Sequence, residues 1–146
     1  MAALLDVNAL IALVDSDHVR HKAMRRWFVA HSARGWATCP VTENGLIRVV
    51  SQPAYPSGQR TPAELIQILR ALKNAFLKSY QFWPDDVYLS DETLFKTELI
   101  VGTRQVTDVY LLGLAAHRGG TLVSFDQSLP WQAIQGGSEA LVELPV

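Results

Sequence analysis

The shortages in this chain of 146 residues narrow the field before anything present in it does. Cysteine occurs once, at Cys39, so no intrachain disulfide can form and a reducing cytoplasm is the expectation. Within Trp36-Ala37-Thr38-Cys39-Pro40 that thiol reads as a small core residue rather than a nucleophile. The 13 Lys and Arg residues stand against 14 Asp and Glu, a net charge of −1. No global basic field announces a polyanion, which would have to be held by a local patch or through a cation. No stretch reaches the ~20 apolar residues of a membrane span. The apolar N-terminus carries Asp6 and no basic flank, which argues against a signal peptide. His18 and His21 are three apart but lack a third ligand, and His31 and His117 have no companions, so a zinc-type site is not indicated. Repeats, low-complexity tracts and linkers are absent. The expectation is one domain over residues 1–146, long enough to bury about 70% of its unfolded surface.

What is present begins with Ala2-Ala3-Leu4-Leu5-Asp6-Val7-Asn8, running on through Ala9-Leu10-Ile11-Ala12-Leu13-Val14. A short apolar run before Asp6 fits a buried strand, and the run after Asn8 fits two helical turns with Asn8 as N-cap. Asp6 then sits where a strand hands over to a helix, the place where ligands gather in open α/β sheets. Asp15-Ser16-Asp17 can cap a second helix whose Arg20, His21, Lys22, Arg25 and Arg26 offer either a phosphate-facing or a plain solvated face. Trp36–Cys39 reads as a second strand. Thr42 can cap the following helix, with Glu43 in its first turn, where the macrodipole favours negative charge. Residues 52–61 are loop-like, and Thr61-Pro62-Ala63-Glu64 is a capping box with proline at the first helical position, opening a helix through Leu65, Leu69, Leu72 and Phe76. Phe82-Trp83-Pro84-Asp85-Asp86 marks a turn. Ser90 caps a segment whose Leu94, Phe95, Leu99 and Ile100 have helical spacing up to Gly102. Thr107 suits the N-cap of a helix apolar nearly all round, with Asp108 in its first turn. After Gly119-Gly120, Thr121–Phe125 reads as a strand with Asp126 at its end, and Leu141–Leu144 as a last strand.

Asp6, Glu43, Asp108 and Asp126 share one description: each lies where a strand ends or a helix begins, among apolar residues. Right-handed crossovers between alternating strands and helices put all strand carboxyl ends on one edge of the sheet, so the four acids are expected in one crevice. Two carboxylates ~5 Å apart repel by about 3 kcal/mol at an effective dielectric near 20. Helix N-termini return only ~0.3–1 kcal/mol each. Such a group therefore takes up a proton or binds a hard cation, and an all-oxygen set favours Mg²⁺ or Mn²⁺ over zinc. Metal-assisted attack of water on a phosphodiester, with one or two ions, is the chemistry natural to it. The plainer alternative is four unrelated helix caps. An aspartyl nucleophile at Asp6 usually has a second Asp two residues on, and here Asn8 stands there.

Leu4-Leu5-Asp6-Val7-Asn8, Thr42-Glu43-Asn44-Gly45, Phe82–Asp86, Gln105-Val106-Thr107-Asp108 with its apolar continuation, and Ser124-Phe125-Asp126 together resemble the PIN-domain ribonucleases, specifically the VapC-type toxins of VapBC toxin–antitoxin pairs. The resemblance covers essentially the whole chain. It implies a three-layer α/β/α fold on a mostly parallel sheet, Mg²⁺- or Mn²⁺-dependent endonucleolytic cleavage of RNA, a homodimer, and a cognate antitoxin that blocks the site. By position, Asp6 and Asp108 would be the principal metal ligands. Asp126 would complete the pocket, often through a water, and Glu43 would be a ligand or a water-orienting base. Ser124 stands where many relatives have threonine, and Asn8 and Thr107 would orient the acids. RNA contact would fall to Arg104, close to Asp108, and to Arg25 and Arg26, with Arg48 and Arg60 as further candidates. A catalytically weak PIN-like module that binds RNA or protein is the alternative, and the presence of all four acids speaks against it.

Overall fold

The computed structural model describes all 146 residues. Five parallel strands form one sheet in the order β3-β2-β1-β4-β5: β1 (Ala3–Leu5), β2 (Trp36–Thr38), β3 (Tyr80–Phe82), β4 (Thr121–Val123) and β5 (Val142–Glu143). The helices are α1 (Val7–Val14), α2 (His21–His31), α3 (Pro40–Val50), α4 (Pro62–Ala75) and α5 (Val106–His117). Strand β1 sits at the centre, and Ala3, Leu4 and Leu5 are all fully buried because helices cover both sheet faces. Side-chain alternation divides them. Leu4 joins Leu122, Phe95 and the α5 residues Val109 and Leu112 in one core, whereas Ala3 and Leu5 join Leu10, Phe28, Leu46 and Leu65 in the other. The result is a three-layer α/β/α sandwich with a wholly parallel sheet. No helix is long and apolar enough to cross a membrane.

Several local expectations give way to better-satisfied alternatives. The helix after β1 starts at Val7, so the N-cap is Asp6 rather than Asn8, and the Asp6 carboxylate accepts the Ala9 amide at 2.7 Å. In α3 the first helical residue is Pro40. Thr42 therefore lies three residues past the N-cap Cys39 and closes a capping box on it, with Cys39 N donating to Thr42 Oγ1 at 3.1 Å. Thr107 falls inside α5, whose N-cap is Gln105. Helix α2 begins at His21 rather than after Asp17. Asp15 is instead buried, accepting hydrogen bonds from Tyr55 and Ser57, both at 2.6 Å.

The helix expected after Ser90 does not form. Lys96 N donates to Ala133 O at 2.7 Å and Gln135 N to Leu94 O at 2.8 Å, so this backbone is spent on an antiparallel bridge, with a single 3₁₀ turn at Thr97–Leu99. Strand β3 has no apolar run to mark it in the sequence, because Gln81 and Phe82 are exposed on this edge strand. Thr61 does cap α4, accepting from Glu64 N at 3.1 Å, as its motif indicated.

Candidate active site

Asp6, Asp108 and Asp126 are brought to the carboxyl edge of the sheet by three different elements. Asp6 leaves β1, the fully buried central strand, and has only 6% of its surface exposed. Asp108 is half-buried in the first turn of α5. Asp126 follows β4 and is exposed, its Oδ1 accepting from the amide and hydroxyl of Ser128 at 2.8 and 2.7 Å. Ser124, at the end of β4, lies by two of them: its hydroxyl favours the charged form of the Asp6 carboxylate and accepts the Asp126 amide at 3.1 Å.

The electrostatics register the crowding. Burial pushes the Asp6 carboxyl up from 3.8 to about 6, against the hydrogen bonds from Ser124 and Ala9, and the charges of Asp108 and Asp126 push it further the same way. Asp108 is also raised, first by burial and then by Asp126. A carboxyl raised on folding holds its proton more tightly in the folded state. Its contribution to stability is therefore full below the ordinary value and is lost as pH rises to about 6. Two pH units correspond to about 3 kcal/mol. In EDTA, the wild-type chain is expected to lose stability between pH 4 and pH 6 relative to Asp6→Asn, in which amide and carboxylate cap α1 alike. Urea titrations of both proteins across that range check it.

Glu43 has a different set of partners. It occupies the first turn of α3, which presses close to α1: a Cβ on Gly45 would lie 2.5 Å from Val7 Cγ2. Its carboxylate, however, is paired with Lys73 of α4 at 2.8 Å and accepts from Thr38 Oγ1 at 2.5 Å and Tyr80 OH at 3.3 Å. Of the four acids, Asp6, Asp108 and Asp126 act on one another's charge, and Glu43 is tied to a lysine. No three of the carboxylates form a ready-made ligand cage. Lys73, Tyr80 and Thr38 had no signal in the sequence, since no spacing rule links α4 to the first turn of α3.

The remaining expected site residues divide. Ser124 lies beside Asp6 and accepts the Asp126 amide as described. Asn8 is exposed and lines a hollow with Asp15, His18 and Tyr55. Thr107 lines an apolar hollow of about 360 Å³ with Val41, Val87 and Leu89. Neither makes a side-chain hydrogen bond to one of the four acids. Arg104 is exposed in the 3₁₀ turn just before α5, close to Asp108 in sequence. Arg25 and Arg26 lie on the outer face of α2 beside His21, Lys22 and Val29, a surface that none of the four acids lines.

The strictly parallel sheet of this α/β/α sandwich is shared with proteins of known class. The PIN domain model matches residues 3–133, so the chain belongs to the PIN-domain family. Among curated relatives, Ribonuclease VapC44 of Mycobacterium tuberculosis is 40% identical over 139 residues, 95% of this chain and 96% of that protein. Ribonuclease VapC39 of the same organism is 44% identical over 141 residues, covering 97% and 100%. The fold is also that of the Rickettsia felis VapBC2 structure, bound to a DNA fragment from its promoter, with a TM-score of 0.64 at 14% identity over 99% of this chain and 98% of that one. M. tuberculosis VapC20, described as a Sarcin-Ricin loop cleaving toxin, gives a TM-score of 0.61 at 11% identity over 94% and 97%.

Proposed function

We propose that this chain is a divalent-metal-dependent endoribonuclease, the toxin of a toxin–antitoxin pair, with Asp6, Asp108 and Asp126 as its metal-binding carboxylates. The observation that carries the reading is the buried Asp6 carboxylate with two further acids acting on it, at the end of the central strand. Oxygen donors alone, with no histidine or cysteine among them, fit Mg²⁺ or Mn²⁺. The excess negative charge there fits one or two such ions, which would draw the carboxylates together. A bound ion would polarise the scissile phosphoryl oxygen and favour attack by water. The protein's own part is to hold the charges in place. Ser124 and the Ala9 amide orient Asp6, the α5 N-terminus supports Asp108, and Glu43 orients the attacking water.

The named relatives are ribonucleases, which supports RNA as substrate. A VapBC neighbour supports an antitoxin partner, and the family resemblance supports a second copy of the chain and a cytoplasmic setting. The test is incubation with total RNA, with and without Mn²⁺, and mapping of the cleavage ends. Discrete Mn²⁺-dependent cuts are expected, and RNA binding that ignores EDTA without any cleavage would favour the binding-module alternative. Arg104, exposed in the turn that leads into α5 and Asp108, is the candidate phosphate contact. Arg104→Ala is expected to weaken RNA binding and to flatten its log–log salt dependence by about one unit. An unchanged slope would make Arg104 structural.

A further inference from the structure

The setting of Glu43 is more specific than an ion pair. Lys73 Nζ and Thr38 Oγ1 donate to one oxygen, Oε2, with Tyr80 OH 3.3 Å from the same atom, and Oε1 has no protein partner. Thr38 ends β2 and Tyr80 begins β3, so adjacent strands and α4 grip the same atom. The Thr38 and Tyr80 hydroxyls are themselves 2.6 Å apart. The Lys73 ammonium is confined as well: it lies 5.2 Å from the Tyr80 ring centroid and 5.9 Å from that of Phe82. Side-chain exposure is 25% for Lys73 and 18% for Glu43, so the pair is shielded from most of the screening that weakens surface pairs. An ammonium offers donors only, and its hold on Oε2 settles which oxygen of Glu43 is left to accept from a water.

We infer that Lys73 is a positioning residue for RNA cleavage: with Thr38 and Tyr80 it pins Glu43 through Oε2 and presents Oε1 to the attacking water. This rests on the nuclease reading above. Lys73 acts through Glu43 and touches neither the substrate nor the acids at the end of β1. Its removal frees the carboxylate to rotate and mispositions the water, which lowers the rate of the chemical step without weakening RNA binding.

A double-mutant cycle tests this. Cleavage of RNA in Mn²⁺ is measured for the wild type, Lys73→Met, Lys73→Arg, Glu43→Gln and the Lys73→Met/Glu43→Gln pair. Glu43→Gln is expected to lower kcat ~100-fold, and Lys73→Met about 10-fold or more with KM unchanged. The double variant is expected to be no slower than Glu43→Gln alone, and Lys73→Arg to keep most of the activity. Thermal unfolding of the same proteins in EDTA supplies a readout independent of catalysis, with midpoint shifts for the pair that are not additive. Additive losses in kcat, an unchanged kcat in Lys73→Met, or a raised KM at constant kcat would each overturn the assignment, the last by making Lys73 a direct RNA contact. A wild-type chain that cleaves no RNA would overturn the nuclease reading itself, a result separable from any of these.

Discussion

Asp6→Asn is expected to abolish RNA cleavage, with a loss of ~100-fold or more, while the metal-free protein becomes more stable. The two effects share one cause. The Asp6 carboxylate is 6% exposed, held where burial and two neighbouring acids oppose its charge. An amide keeps the hydrogen bond from Ala9 and the cap on α1, and it removes the buried charge. At pH 7 to 8 the gain in EDTA is expected to be at most about 3 kcal/mol, following the rise to about 6. Stabilisation by added Mg²⁺ is expected to shrink at the same time, because the folded state has lost a ligand for it. Asp108→Asn is expected to act in the same direction with a smaller gain, since Asp108 is only half-buried. Cleavage assays and urea titrations on the same preparations check both halves. A stable variant that still cleaves at the wild-type rate would remove Asp6 from the site.

The largest loss of stability is expected at Phe95. Its ring is 1% exposed and lies against Gly113 of α5, where any Cβ would collide with it. The glycine makes a notch in the helix, and the aromatic ring fills it. Trp83, Leu129 and Ile134 belong to the same core, so this one side chain ties the irregular segment 84–105 and the segment after β4 to the helix that carries Asp108. Phe95→Ala is expected to cost about 3–5 kcal/mol, a fall in Tm of roughly 10–15 °C. Gly113→Ala is expected to destabilise from the other side of the same contact, by overpacking. Calorimetry on both variants measures it, and a Phe95→Ala protein melting within a few degrees of wild type would mean that the segment is held by other contacts.

Phe95 also shows where sequence reading stops. Leu94, Phe95, Leu99 and Ile100 match a helical repeat, yet only Phe95 is buried and Leu99 is exposed. The backbone partners that defeat the helix, Ala133 and Gln135, lie some forty residues away and leave no local trace. By contrast β1, β2, β4, α4 and α5 were legible, because central parallel strands read as unbroken apolar runs and helix caps act within four residues. The site was legible to the extent that it follows from topology. Acids placed after strands or in first helical turns fall on one sheet edge whatever the details, and Asp6, Asp108 and Asp126 do so. Glu43 obeys the same rule, but its orientation depends on Lys73, Thr38 and Tyr80, which only the packing of α4 and β3 against α3 brings within reach.

Asp6, Asp108 and Asp126 are proposed to hold a divalent cation together. Anomalous diffraction from crystals of the full chain grown with Mn²⁺ tests this most directly. The expected map has its strongest peak ~2.0–2.2 Å from carboxylate oxygens of Asp6 and Asp108, with Asp126 bound directly or through a water. The peak is expected to be absent from an Asp6→Asn/Asp108→Asn crystal. A map with no peak between these residues, or with its only peak elsewhere on the surface, would contradict the claim.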